Sequence, residues 1–405
     1  MKKFLSAIIS AVLTTVCVAS VFVIGYVMLT SSSAYQWENT AAAEVKDFGS
    51  PHKFYYRELN NIEKHAYNEI ITHIYDMPES IEIPDIDAKQ LDRIFSALLY
   101  DNPDLFFIGR KCTLSSEFLK TFCSVEYILT KEEYLSQKEE LMQVAEGVIS
   151  SLSAPDDEWQ TELEIHDYIV DNCRYKLSEP KLVYSSSYGA LVNGKAACEG
   201  YSKAAKLLFD MAGIESSVVS GISKNFDGEE GSHMWNAVKI DGDFYYLDCT
   251  WDDPVNDEKK DLKLYTYFNI NDEMISATHS GFSYDFGCTA TAANYHVKTG
   301  RYFEEYSRSD ERLLSKLIAN DVENGTWEIQ LRFGSKKVYN KAVKDLLDNI
   351  FLGDESHSGT LGVQIAFFAE GDHLFSKGTH LFSSGNGGLD LAVLQQIGDH
   401  GTQHG

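Results

Sequence analysis

Basic residues are scarce in this chain of 405 residues: 35 lysines and arginines stand against 61 aspartates and glutamates, for a net charge of −26. So acidic a surface repels phosphate backbones, which sets nucleic-acid binding aside. The excess of acid reads most simply as solubility, with a cationic partner such as a wall polymer the weaker alternative. Proline is rare too, at seven residues, and with 44% apolar side chains this argues against extended disorder. No CxxC pair occurs among the seven cysteines, and no His/Cys cluster has zinc-ligand spacing, so neither a metal nor a cofactor is implied. The cysteines are also too sparse for a disulfide scaffold. One bridge is conceivable, between Cys112 and Cys123, which flank a hairpin-like stretch; two free thiols are the preferred state. No internal repeat is present.

Charge is missing altogether from Phe4 to Leu29, a run of 26 apolar or small residues behind Lys2 and Lys3. A bilayer core needs roughly 20 residues in helix, whereas a cleaved export signal usually has an apolar run of only about 7–15. Both lysines precede the run and the next base is Lys46, so the positive-inside bias keeps the N-terminus in the cytoplasm. The expectation is a signal-anchor over residues 1–30, giving a single-pass cell-membrane protein with an extracytoplasmic body. Cleavage near the following SSSAY segment, giving a secreted protein, is the alternative. Residues 31–50 are polar and small, a tether.

Periodicity divides the rest. Residues 51–154 read as an α+β accessory region: a helical stripe of Leu59, Ile62, Ala66, Ile70 and Ile74, then an extended 81–86 broken by Pro84. A helix over 88–100, strands at 105–108 and 122–129 and a helix over 131–152 follow. Its histidines, His52, His65 and His73, suit surface or cap positions. Pro155 opens a unit spanning 155–305, where Asp156 or Asp157 caps a helix running to about Cys173. His166 lies on that helix's apolar stripe and reads as a packing or hydrogen-bonded histidine rather than a catalytic one. A strand at 264–270 and a short helix at 273–278 are expected beyond the central motifs. Residues 306–405 alternate helix and strand as a small α/β region: helices over 311–319 and 336–351, strands over 326–333 and 360–368, then a fraying tail from Ser383. Histidines 380, 400 and 404 in the glycine-rich end do not make a metal site.

The chemistry concentrates between Tyr188 and Pro254. Tyr201, Ala205, Leu208, Phe209 and Ala212 recur with helical period and Gly213 is a stop signal, so Cys198 falls in the first turn of a helix. Free N–H groups and the positive end of the dipole favour a thiolate there. His233 follows 35 residues later, and Asp248 lies 15 residues beyond that. They sit on two apolar-rich runs, 234–240 and 243–249, separated by Asp241-Gly242, a two-residue turn signal. That turn pairs Ile240 with Asp243 and, counting back, Trp235 with Asp248. His233 then shares a face with Asp248 as its diagonal neighbour, at about 7–8 Å between backbones and within side-chain reach. A three-residue loop would put them on opposite faces. Singly, each residue has a bland explanation: a small buried thiol, a strand-edge histidine, a turn-forming aspartate. Jointly they predict a triad in which His233 takes the Cys198 proton and Asp248 orients the ring.

Three pieces, GKAACEGYSKAAKLLFDMAGI, GSHMWNAVKIDGDFYYLD and DCTWDDP, resemble the transglutaminase-like superfamily, whose core is related to papain-type cysteine proteases. The resemblance covers about a quarter of the chain. It implies an α+β core in which a helix bearing Cys198 packs on an antiparallel sheet bearing His233 and Asp248, with the flanking α+β regions as additions typical of exported bacterial members. It further implies acyl transfer from a protein or peptide amide through a thioester, completed by water or by an amine. An oxyanion donor is expected from the Cys198 backbone N–H and one side chain, Tyr188 or Trp235 being the candidates, each more often a core aromatic than a donor. Asp252 and Asp253 suit turn or cap roles. The calcium sites of animal transglutaminases have no counterpart here. A binding or scaffolding module that retains the core without catalysis is the second reading, and an intact triad counts against it.

Overall fold

A computed structural model describes residues 15–16, 18–26, 52–118, 120–177, 182–225, 228–253, 263–323 and 330–345, and the strand residues 360–367, 376–383 and 392–394. The chain divides into two compact units, Met1–Lys138 and Glu139–Gly405.

In the first unit the stripe from Leu59 onward becomes α1 (Asn61–His73), which buries Ala66, Tyr67, Ile70 and Ile71. Asn60 caps it, accepting from Glu63 N–H while Glu63 accepts from the Asn60 N–H. After β1 (Ile81–Ile83), Asp87 and Gln90 repeat that capping box at α2 (Ala88–Asp101). Such caps contribute about 0.5–2 kcal/mol each. His65 is buried in α1 rather than at the surface. β2 (Ile108–Glu117) and β3 (Lys120–Tyr127) join β1 in an antiparallel sheet of order β1-β3-β2. Residues 105–107, expected as strand, turn instead, with Leu105 N–H donating to Asn102 O at 3.1 Å. Cys112 and Cys123 are free thiols on neighbouring strands, their sulfurs 3.7 Å apart. In the run expected to cross a membrane, residues 15–16 and 18–26 are helical and expose Val21, Phe22, Val23 and Tyr26. Among the described residues no helix is long and apolar enough to cross a membrane.

The helix α3 (Lys131–Ser151) runs through the point where the two units divide. In the second unit Asp157 caps α4 (Glu158–Asn172), its carboxylate accepting Gln160 N–H at 3.0 Å. Ser186 caps the single turn α5 (Ser187–Leu191). α6 (Cys198–Ala212) ends where Gly213 takes φ +78°, a left-handed stop that costs glycine little. Behind it lies a four-stranded antiparallel sheet of β4 (Ser216–Lys224), β5 (Glu230–Ile240), β6 (Asp243–Leu247) and β7 (His279–Ser280), in the order β6-β5-β4-β7. α6 packs against β4 and β5 and buries Tyr201, Ala204, Ala205, Leu208 and Phe209. Each fully buried Leu or Phe contributes about 1.5–3 kcal/mol. This is a helix on an antiparallel sheet within an α+β chain, the architecture expected for the core.

The segment 264–270 is not a strand; only a single bridge joins Ile270 to Tyr246. Its backbone donors are diverted: Tyr267 N–H goes to the Asp252 carboxylate at 3.0 Å, and Asn269 sits at φ +53°, outside strand geometry. Farther on are a helix at Arg308–Glu323, a short strand at Arg332–Phe333 and a helix at Lys336–Asp345. The strands Thr360–Phe367, Ser376–Ser383 and Ala392–Leu394 form an antiparallel sheet. Most of the expected strand 326–333, the end of the expected helix and much of the tail lie outside the described residues.

Candidate active site

Cys198 is the first residue of α6, half-buried, and the Ala197 before it offers no side-chain cap. Gly200, in the same first turn, allows the helix start to press against the chain before it. A Cβ there would stand 2.6 Å from Ala196 Cβ and 2.7 Å from Tyr184 O. Asn236 of β5 then fixes the helix to the sheet. Its buried amide donates to Ser202 O at 2.9 Å, one turn beyond Cys198, and to Ser217 O of β4 at 3.4 Å.

The hairpin has the register its turn dictates. Ile240 pairs with Asp243 and Asn236 with Leu247, while Asp241 and Gly242 take φ +53° and +95°. His233 therefore emerges on the face toward which Asp248 points, and its Nε2 lies 2.6 Å from Asp248 Oδ2. Asp248 itself has left the ladder, because β6 ends at Leu247. Its Oδ1 accepts the backbone N–H groups of Thr250 at 3.0 Å and Trp251 at 3.2 Å, a turn that holds the carboxylate in place.

Electrostatics follow from this geometry. Burial pushes the His233 imidazolium down, but the charge and hydrogen bond of Asp248, together with hydrogen bonding and charge at Cys198, outweigh it and raise the pKa to about 10. Burial alone would raise Asp248; the two neighbouring imidazoles, His233 foremost, hold it well below the usual carboxylate range. The contact with Asp248 is thus made through Nε2, with Nδ1 on the other side of the ring.

A fourth side chain has no signal in the motifs. His279 of β7 places its Nε2 3.2 Å from the same Asp248 Oδ2. Among the described residues, His233, Asp248 and His279 are one group whose ligand atoms fall within 4.8 Å of one another, the spacing a metal would need. Hydrogen bonds account for the placement of all three. Trp235 stacks on His233 at 5.9 Å between ring centres, and its buried Nε1 has no hydrogen-bond partner. The Tyr188 hydroxyl is engaged elsewhere, donating to Glu140 Oε2 at 2.8 Å.

Asp252 and Asp253 hold the loop after Asp248. Asp252 takes Tyr267 N–H and stands 3.4 Å from Nε2 of the buried His166, whose Nδ1 lies 3.0 Å from Asp167. Asp253 accepts from the Tyr201 hydroxyl of α6. Burial raises both carboxyls to about 6. His166 is thus a packed and paired histidine, as its place on the apolar stripe implies.

Residues 143–249 match the transglutaminase-like superfamily, and this part of the chain is a transglutaminase-like core. Over 64 residues it is 33% identical to the Kyphoscoliosis peptidase of Homo sapiens, a match covering 14% of this chain and 10% of that protein. The chain therefore spans about a tenth of that relative's length. Among solved structures, one described as a TGase is 17% identical, covers 43% of this chain and 50% of its own, and has a TM-score of 0.25. The periplasmic domain of TgpA from Pseudomonas aeruginosa bound to ethylmercury is 14% identical over 32% of this chain and 55% of its own, with a TM-score of 0.21.

Proposed function

We propose that this core is a thiol-dependent acyl-transfer enzyme that opens amide bonds through Cys198, His233 and Asp248. The observation that carries the reading is the 2.6 Å contact of His233 Nε2 with Asp248 Oδ2, in a ring whose ionisation Cys198 also favours, the cysteine being the first residue of its helix. The Cys198 sulfur, having passed its proton to His233, attacks the amide carbon, and the carbonyl oxygen becomes an oxyanion. The Cys198 N–H at the uncapped helix start faces the developing charge, and Trp235 is the side-chain candidate for a second donor. The intermediate collapses as His233 returns the proton to the leaving amine, which leaves a thioester on Cys198. Water or a primary amine then attacks the thioester carbon while His233 takes its proton, and the C–S bond breaks to release the product and return the Cys198 thiolate beside protonated His233. Asp248 stays ionised and orients the ring throughout.

The substrate is a protein or peptide, and the 26-residue uncharged run behind Lys2 and Lys3 supports a body held outside the cytoplasmic membrane. Wall peptides and exported proteins fit that position. Hydrolysis is the preferred outcome, since water needs no acceptor pocket. Incubation with a glutamine-rich protein, with and without a primary amine, followed by mass spectrometry, distinguishes the outcomes. Cleaved or deamidated product supports hydrolysis, and amine adducts support transamidation. Neither product, from a Cys198 that labels no faster than the other thiols, supports a silent binding module.

A further inference from the structure

We propose that His279 is a positioning residue of this site, locking the Asp248 carboxylate against which His233 is aligned. The proposal deepens the reading above, on which its kinetic consequence rests. Asp248 Oδ2 accepts from two imidazoles, His233 at 2.6 Å and His279 at 3.2 Å, while Oδ1 is occupied by the Thr250 and Trp251 N–H groups at 3.0 and 3.2 Å. An ionised carboxylate can only accept, so His279 Nε2 carries a proton. The ring is buried, and burial, reinforced by the charge of His233, holds its pKa below the ordinary value despite Asp248. A neutral ring has one N–H, so Nδ1 accepts. Its partner is the Thr278 hydroxyl at 2.8 Å, which stands 3.2 Å from the Tyr267 hydroxyl.

Donors then run one way: Tyr267 to Thr278, Thr278 to His279, His279 to Asp248. The chain ends on the oxygen that faces His233. It is held from outside as well. The Trp235 and Trp251 rings lie 4.7 and 4.9 Å from the His279 ring, and His279 pairs with Ser223 of β4. The titratable groups facing His279 are Asp248, His233 from β5 and Tyr267 from the preceding loop. Two consequences follow for the reaction. The carboxylate cannot rotate away from His233, and the second donor brings no second positive charge beside the imidazolium. A core histidine with no such role would give the same burial but would leave the behaviour of His233 unchanged when replaced.

The test uses the full chain with His279→Phe, which keeps an aromatic ring without its donor, and His279→Gln, whose amide restores an N–H near Nε2. Thr278→Val removes the hydroxyl that holds Nδ1. Each variant is followed by the pH dependence of Cys198 alkylation with iodoacetamide and by the ring-nitrogen NMR titration of His233. In His279→Phe the His233 titration falls toward its free value, the alkylation profile moves with it, and labelling at neutral pH slows about tenfold. His279→Gln recovers most of both, and Thr278→Val shows a smaller shift in the same direction. A His233 titration unchanged or moved upward in folded His279→Phe overturns the proposal. If that variant does not fold, an unshifted titration in Thr278→Val overturns it equally. A lowered His233 titration in a protein whose Cys198 labels no faster than its other thiols keeps the positioning role and removes the catalytic reading instead.

Discussion

His233 Nε2 lies 2.6 Å from Asp248 Oδ2, and each group reshapes the other's ionisation. Asp248→Asn keeps the shape and removes the charge. The single amide oxygen goes to the Thr250 and Trp251 N–H groups, and its NH2 turns toward the imidazoles and cannot accept from them. The proton on His233 then moves to the nitrogen that should receive the thiol's. The expected result is a fall in Cys198 alkylation at neutral pH of about a hundredfold or more, with thermal stability far less affected. Stopped-flow alkylation beside a melting curve checks it.

The register of that contact depends on two residues. One glycine inserted after Gly242 lengthens the turn and moves Asp248 to the other face of the hairpin. The His233 titration should then drop from about 10 toward the free value near 6.5, read by NMR. A titration that stays high would show that the turn does not set the pairing.

Asn236 ties the cysteine helix to the histidine strand through Ser202 O and Ser217 O. Asn236→Ala leaves both carbonyls without that donor, at a cost of about 1–3 kcal/mol. In a unit of this size that lowers Tm by about 2–4 °C per kcal/mol, and Cys198 alkylation should slow in the same variant. Calorimetry and labelling of one preparation test both.

Stability should decline from mildly acidic to alkaline pH. Glu162 is buried with Asn269 as its donor at 2.6 Å, and burial raises its pKa to about 8. A folded pKa above the unfolded one gives stability that is complete below the unfolded value of about 4.3 and lost as pH rises through 8. His233 acts with the same sign over a later window, from about 6.5 up through 10. Asp248 has the opposite sign: its contribution is present above about 3.9 and lost on acidification. Glu162→Gln should flatten the first part of the alkaline decline and leave the second. Denaturant titrations at a series of pH values read the difference.

What the sequence disclosed was local. Helical spacing and Gly213 placed Cys198 at a helix start, and Asp241-Gly242 determined the register that brings His233 to Asp248. His279 and Asn236 were not legible. His279 lies 31 residues beyond Asp248 in a stretch without periodicity, and only the pairing of β7 with β4 brings it in. Asn236 alternates inward on β5 like its apolar neighbours, so the pattern hides a polar tie. The segment 264–270 misled because its apolar content suits a strand, while the Asp252 carboxylate claims the Tyr267 N–H that a ladder would use.

The most direct test of the central claim is the rate at which iodoacetamide modifies each cysteine near neutral pH, resolved by peptide mass spectrometry. Cys198 is expected to react much faster than Cys112, Cys123, Cys173, Cys249 and Cys288, and His233→Ala should remove that advantage. Equal labelling of all the cysteines, or a Cys198 rate indifferent to His233→Ala, would contradict the account.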